Sequence, residues 1–272
     1  MNILFIGDAY GSLGRKAVED YLPTLRSDYG INFVILNGEN AAHGRGITEK
    51  IYRAFLEQGI QVITLGNHAW DNRDIFNFID QAKCMVRPAN YPIDRSGNSV
   101  VPGKGYEIFN YNQYKIAVIN LMGQTFMNPL ENPFHKFDEI YEEIKDITPN
   151  IFVDFHAEAS SEKIAFGYYV AGRATGVLGT HTHVPTADDR ILDNHTGYIT
   201  DVGMTGPVDG VIGVTKEPVI KRFLSGLPTR FNPVEEGPKQ LNAVVLSIDP
   251  ETGRTKTLKR ININEAKGSL FR

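Results

Sequence analysis

The sequence predicts an α/β protein built on two stacked sheets. Three observations carry that prediction. Short β-branched or apolar runs alternate with helix-period segments through the first half; a stretch rich in proline, glycine and serine breaks the alternation near residue 100; strands resume beyond it and close in a paired run near the C-terminus. A chain of 272 residues, 42% of them hydrophobic, can fill one large core or two small ones.

Taken in order, residues 2–7 carry the apolar run Ile3-Leu4-Phe5-Ile6 and fit a buried strand, and 14–29 an amphipathic helix. Residues 32–36 give a second strand ending at Asn37-Gly38. Thr48, followed by Glu49, suits the N-cap of a helix over 51–58, because its hydroxyl can accept from a first-turn amide that has no helical partner. A third strand follows over 61–65. The segment 91–105, YPIDRSGNSVVPGKG, reads as a linker between two sheets. After it come strands over 115–121, 151–155, 176–178 and 197–201, then 242–248 and 255–263, which form a hairpin across Asp249-Pro250-Glu251-Thr252-Gly253.

Composition narrows the function. A net charge of −4 gives no broad positive field, so sequence-independent capture of nucleic-acid backbone, duplex included, is not expected. The basic run Arg254-Thr255-Lys256-Thr257-Leu258-Lys259-Arg260 reads as the wet face of a strand. Cys84 is the single cysteine, which rules out an intrachain disulfide and a thiolate zinc cluster. With no signal-peptide core and no window near 18 apolar residues, the expected location is cytoplasmic, without a membrane association.

One junction recurs five times: an apolar run followed by a residue able to bind metal. The runs end in Asp8, in Glu39-Asn40, in Asn67-His68, in His156 and in His181-Thr182-His183. In open α/β sheets the carboxyl ends of parallel strands face one crevice, so residues distant in sequence can meet there. Gly7, Gly38, Gly66 and Gly179 beside these positions permit close backbone approach. Each residue alone has a plainer role. Asp8 fits a helix cap, Glu39-Asn40 a solvated turn, Asn67-His68 a turn closed on its own backbone, and His156 a hydrogen-bonded core histidine. The coincidence favours a site: four of the seven histidines fall at strand ends, with His43 bordering the set, while His135 and His195 fall in surface loops. Trp70 is assigned to packing. Asp8, Glu39, Asn40, Asn67, His156, His181 and His183 are the candidate ligands; seven oxygen and nitrogen donors without sulfur exceed the needs of one ion and suit a pair of Mn²⁺, Fe²⁺/Fe³⁺ or Zn²⁺ better than Ca²⁺ or Mg²⁺.

These motifs resemble the calcineurin-like metallophosphoesterases, whose blocks read G-D, G-D or G-E, G-N-H, a lone H and G-H-x-H. Gly7-Asp8, Gly38-Glu39-Asn40, Gly66-Asn67-His68, His156 and Gly179-Thr180-His181-Thr182-His183 stand in that order. The stretches GDAYGSLGR, NGENAAHGRG, TLGNHAWD, RPANYP, DFHAEASSEK, GTHTHVPTAD and ITDVGMTGP are similar to the bacterial YmdB-type branch over nearly the whole length. Two departures from the wider superfamily are shared with that branch: Asp8-Ala9-Tyr10 lacks the usual first-block histidine, and Glu39 stands where an aspartate is usual.

The resemblance implies a four-layer α/β/β/α sandwich of two mixed sheets, a single metallophosphoesterase domain over 1–272. It implies two divalent or trivalent transition-metal ions, one on Asp8, Asn40 and His183 and the other on Asn67, His156 and His181, with Glu39 bridging. A hydroxide shared by the ions would attack phosphorus while His68 assists the leaving group. The implied substrates are phosphate diesters, with 2′,3′-cyclic nucleotides (the 2′,3′-cAMP type) among them. Loops 122–129 and 203–207 either offer apolar walls for a base or serve equally well in packing or a subunit contact, and a homo-oligomer is compatible with this arrangement. The rival readings are a regulatory protein with a mainly structural metal site and a nucleotide-binding module using Gly7-Asp8-Ala9-Tyr10-Gly11-Ser12-Leu13-Gly14, whose spacing is not G-x-G-x-x-G.

Overall fold

A computed structural model describes residues 1–267; the last five residues of the expected domain lie outside the described part. The order is β1 (Asn2–Ile6), α1 (Gly11–Tyr29), β2 (Phe33–Asn37), α2 (Glu49–Glu57), β3 (Val62–Thr64), β4 (Met85–Val86), β5 (Tyr106–Tyr111), β6 (Tyr114–Met122) and α3 (Pro133–Ile144). The second half continues with β7 (Ile151–His156), α4 (Ser160–Val170), β8 (Gly176–Thr180), β9 (Arg190–Leu192), β10 (Thr196–Ile199) and β11 (Gly206–Pro207). It ends with α5 (Lys216–Ser225), β12 (Lys239–Asp249) and β13 (Arg254–Asn264).

Two mixed sheets result. The first runs β11-β12-β1-β2-β3-β4, with β13 pairing β12 and with β1, β2, β3 and β4 parallel. The second runs β5-β6-β7-β8-β10-β9, with β6, β7, β8 and β10 parallel. The linker read at 91–105 carries the chain from β4 in one sheet to β5 in the other, and the expected hairpin is the antiparallel β12–β13 pair. The basic run lies on β13 with Arg254, Lys256, Lys259 and Arg260 exposed.

Strand alternation sorts the layers, because successive side chains point to opposite faces. Ile3 and Phe5 of β1 pack with Phe33, Ile35, Val118, Phe152 and Leu178 in a core between the sheets. Leu4 and Ile6 of the same strand join Val18, Leu22 and Phe55 under α1 and α2. On the far side Ala117, Ile119 and Val153 meet Phe137, Ile140 and Phe166 of α3 and α4. Three apolar layers between four structural ones give the expected α/β/β/α sandwich.

Local chemistry explains the boundaries. The Thr48 hydroxyl accepts from the Ile51 amide at 3.3 Å, as its sequence position predicts. At the C-terminal end of α1, Gly30 adopts φ +56°, a left-handed cap that glycine takes without a Cβ clash. His135 is exposed as expected but stands in the first turn of α3 and not in a loop, because Pro133 and the Asn132 cap start a helix there. Among the described residues no helix is long and apolar enough to cross a membrane.

Candidate metal centre

All five junctions fall at the carboxyl ends of parallel strands β1, β2, β3, β7 and β8, on the same end of the sandwich. The plainer role for Asp8 fails. Helix α1 begins at Gly11 with Tyr10 as N-cap and no side-chain cap, so Asp8 caps nothing. Its carboxylate is fully buried; Oδ2 accepts from the His181 amide at 3.4 Å, and Oδ1 has no partner. An orphaned buried carboxylate oxygen is costly unless a cation completes it. Glu39 and Asn40 are 1% exposed, which excludes a solvated turn.

His156 Nε2 is the centre of convergence. It lies 2.8 Å from Asn67 Oδ1, 3.1 Å from Glu39 Oε1 and 3.1 Å from His181 Nδ1. Glu39, His156 and His181 each offer one ligand atom within 4.8 Å of the others. His183 Nε2 faces Asn40 Oδ1 at 3.3 Å. The fold therefore brings Glu39, Asn67, His156 and His181 together, pairs Asn40 with His183, and sets Asp8 against the His181 amide.

The outer hydrogen bonds explain why. His156 Nδ1 lies 2.8 Å from the Thr180 hydroxyl, which donates to Asp154 Oδ1 at 2.6 Å, so Nδ1 donates outward and Nε2 is the nitrogen turned to the site. His181 Nε2 approaches Glu158 at 3.1 Å, leaving Nδ1 inward, and His183 Nδ1 donates to the Ile212 carbonyl at 3.0 Å, leaving Nε2 inward. Each imidazole is tied outward through one nitrogen and turned inward through the other, the arrangement that metal-binding histidines require.

Charge tells the same story. Burial would push the Glu39 carboxyl up, yet His156 and the amide and ring of His68 bring it down to about 2. Burial would lower His156, and the Glu39 carboxylate overrides it and lifts the imidazole to about 9, so beside Glu39 alone Nε2 carries a proton that a bound cation would displace. Burial and the neighbouring His156 charge hold His181 down at about 3, so it is neutral and ready to coordinate. Burial raises Asp8. Only oppositely charged partners make such a dry cluster tolerable, and cations of higher charge would satisfy it better.

The residue types, the orphaned oxygen and a cradle kept clear by Gly66 together fit metal ions. A Cβ on Gly66 would overlap the Glu39 carboxylate and the His156 ring, both fixed by burial. Gly66→Ala is expected to weaken metal binding about tenfold or more, read by metal analysis of the folded protein; retention of full metal content would remove this role for the glycine.

Several residues on which the site depends carried no signal in the sequence. Asp154 accepts from Thr180, Thr64 and Asn37, joining β7 and β8 of one sheet to β2 and β3 of the other beneath the site. Burial pushes its carboxyl up to about 6 despite those bonds. Lys163 of α4 is 1% exposed and donates to the Thr180 carbonyl at 2.6 Å and to Asp201 at 2.7 Å; Asp201 in turn accepts from the Thr182 and Gly203 amides. The loop thus clamped holds His181 at φ +103° and His183 at φ +67°, conformations that L-residues adopt only under constraint.

His68 turns away from the ligands. Its amide donates to Glu39 Oε2 at 2.9 Å, while its ring Nδ1 lies 2.8 Å from Asp71 Oδ2, and it lines a cleft of about 1310 Å³ with Asn40 and His183. His43 also lines the cleft, so it borders the site as expected. The cleft walls are a correction. Loops 122–129 and 203–207 do not line it: Phe126 is 90% exposed, and 203–207 is drawn into backbone pairing with Asp8 and Tyr10. The outer wall is α5 with residues 229–235. Trp70 stacks on Phe76, ring centres 5.4 Å apart, which is the packing role assigned to it.

Comparison with known proteins shows the family. Residues 4–261 match the family described as YmdB-like protein. The chain is 53% identical over 265 residues to the 2′,3′-cyclic-nucleotide 2′-phosphodiesterase of Bacillus subtilis (strain 168), covering 97% of this chain and 98% of that protein. A crystal structure of a novel phosphatase from Mycoplasma pneumoniae superposes with a TM-score of 0.90 at 37% identity, covering 97% of this chain and 93% of that one. A calcineurin-like phosphoesterase of Bacillus subtilis shares the fold, with a TM-score of 0.63 at 11% identity over 100% of this chain and 92% of that one.

Proposed function

Because the chain belongs to the YmdB-like family, we propose that it is a metal-dependent phosphodiesterase acting on small phosphate diesters, 2′,3′-cyclic nucleotides foremost. The observation that carries this reading is the convergence on His156 Nε2 of Asn67, Glu39 and His181, with His156, His181 and His183 each held outward through the other ring nitrogen. Asn67, His156 and His181 would hold one ion, Asp8, Asn40 and His183 the second, with Glu39 between them. The mixed oxygen and nitrogen donors favour iron or manganese, with zinc as the third candidate. When bound, the ions supply charge neutralisation at the phosphoryl oxygens and activation of water as the nucleophile.

The chain's own residues do the rest. Buried Glu39, Asp8 and His156 exclude competing water and hold the donor set rigid. His68 faces the cleft with Nδ1 held by Asp71, so its other nitrogen is presented to the substrate. From there it donates a proton to the departing ribose oxygen as the phosphorus–oxygen bond breaks. Two further expectations accompany this reading: a cytoplasmic location, for which the lone Cys84 speaks, and a single domain over the chain.

Hydrolysis of bis(p-nitrophenyl) phosphate and 2′,3′-cyclic AMP, run beside metal analysis, tests the reading. Wild-type protein is expected to bind about two ions and turn over both substrates. Glu39→Gln is expected to bind metal about 10–100-fold more weakly and to lose turnover with it. Metal bound at full stoichiometry with no diester hydrolysis would leave the structural-metal alternative.

A further inference from the structure

The cleft beside the metal centre is larger than a cyclic mononucleotide needs. At about 1310 Å³ it exceeds the roughly 300–1,000 Å³ of pockets that enclose one small ligand. It is also continuous with the centre, since Asn40, His68 and His183 line its inner end. Its outer end is built by α5 and the strand-like return 229–235, tied to each other by the Thr215 amide on the Asn232 carbonyl and the Val234 amide on the Gly213 carbonyl, both 2.9 Å. That element is fastened to the centre through the Ile212 carbonyl, which accepts from His183.

The chemistry of this outer wall is distinctive. An Arg-Phe pair occurs twice, at Arg222-Phe223 and Arg230-Phe231, and all four residues line the cleft. The Arg222 guanidinium stands 5.5 Å over the Phe231 ring. Phe223 is 85% exposed although it opens onto a cleft rather than onto a core. Residues 216–230 carry Lys216, Lys221, Arg222 and Arg230 against Glu217 alone, a local basic surface on a chain whose net charge is −4. Glu235, the acid lining the cleft, lies 3.6 Å from His43. Aromatic rings with cations along a groove are the means by which proteins hold single-stranded nucleic acid, the bases stacking and the phosphates meeting arginine. Neither feature is needed to bind one cyclic phosphate.

We propose that the preferred substrate class is the 3′ end of a short single-stranded RNA carrying a terminal 2′,3′-cyclic phosphate, with upstream nucleotides lying along Arg222, Phe223, Arg230 and Phe231. This rests on the phosphodiesterase reading above. In the reaction water adds to phosphorus, the bond from phosphorus to one ribose oxygen breaks, and that oxygen takes the proton. The strand leaves with a terminal phosphomonoester and its internal linkages intact. Since the upstream nucleotides are bound equally before and during bond breaking, they act through KM and leave kcat unchanged.

Steady-state kinetics on the metal-loaded full chain compares 2′,3′-cyclic AMP with a trinucleotide ending in the same cyclic phosphate. The trinucleotide is expected to show kcat/KM higher by about tenfold or more, carried by KM. Arg222→Ala with Arg230→Ala is expected to remove most of that gain while the mononucleotide stays within about twofold, and Arg→Lys at both positions to restore part of it. Equal kcat/KM for the two substrates, or a proportional loss on both in the variant, would overturn the proposal. Should neither cyclic substrate be cleaved while bis(p-nitrophenyl) phosphate is, the substrate reading above fails. The cleft is then decided by fluorescence anisotropy with a labelled trinucleotide 3′-phosphate: binding lost in the arginine variant supports the proposal, and absence of binding overturns it.

Discussion

His68→Ala is expected to lower kcat on 2′,3′-cyclic AMP by about 10²–10⁴-fold while metal content stays at the wild-type level. The two halves of that result come from one dipeptide whose side chains diverge. Asn67 points at His156 Nε2, at 2.8 Å, whereas His68 points at Asp71 and the cleft. Loss of the ring removes the proton donor for the departing oxygen and leaves every candidate ligand atom in place. Asn67→Ala should show the opposite order, with metal lost first and turnover falling because of it. Bis(p-nitrophenyl) phosphate sharpens the comparison, since p-nitrophenolate leaves without needing a proton: His68→Ala should cost far less on it than on the cyclic nucleotide. Equal losses on both substrates would mean that His68 acts on the phosphoryl group and not on the leaving oxygen. Unchanged turnover in His68→Ala together with unchanged metal in Asn67→Ala would remove the division of labour altogether.

Lys163→Met is expected to destabilise the fold by about 3–5 kcal/mol, read as a lowered midpoint of urea unfolding in metal-free protein. Lys163 and Asp201 are both almost without solvent contact and lie 2.7 Å apart. Removing the cation leaves a buried carboxylate whose remaining bonds, to the Thr182 and Gly203 amides, do not balance its charge. Adding Asp201→Asn removes that charge and should recover a good part of the loss. The pair also clamps the loop bearing His181 and His183, so the single variant should lose metal affinity even where it remains folded. A change below about 1 kcal/mol would mean that water reaches the pair and the clamp is weaker than the burial implies.

Much of this was legible from the sequence, for a physical reason. Buried parallel strands need continuous apolar runs, and the switch from apolar to polar residues marks where each strand stops. Glu39-Asn40, Asn67-His68 and His181-Thr182-His183 were therefore visible as a set. So was the linker at 91–105, because proline and glycine cannot continue either kind of element there. Asp154 was not visible. It sits inside the apolar run of β7, and nothing in IFVDFH says that its partners are Thr64 and Asn37 from the opposite sheet. Lys163 reads as an ordinary helical lysine until α4 is packed against the end of β8. The cleft wall was misplaced onto 122–129 and 203–207 because apolar composition does not say which loop faces the site.

The sequence by itself determined the fold class, the strands and helices that alternate up to residue 65, and the kinds of ligand offered at the strand ends, since each follows from local periodicity and residue chemistry. The tertiary structure decided which nitrogen of each histidine faces inward, which carboxylate is left without a partner, and which helix closes the cleft. Those are properties of pairs of residues far apart in the chain. They are fixed by stacking one sheet on the other and by the cost of burying polar groups unpaired, a cost that exists only once the chain is folded.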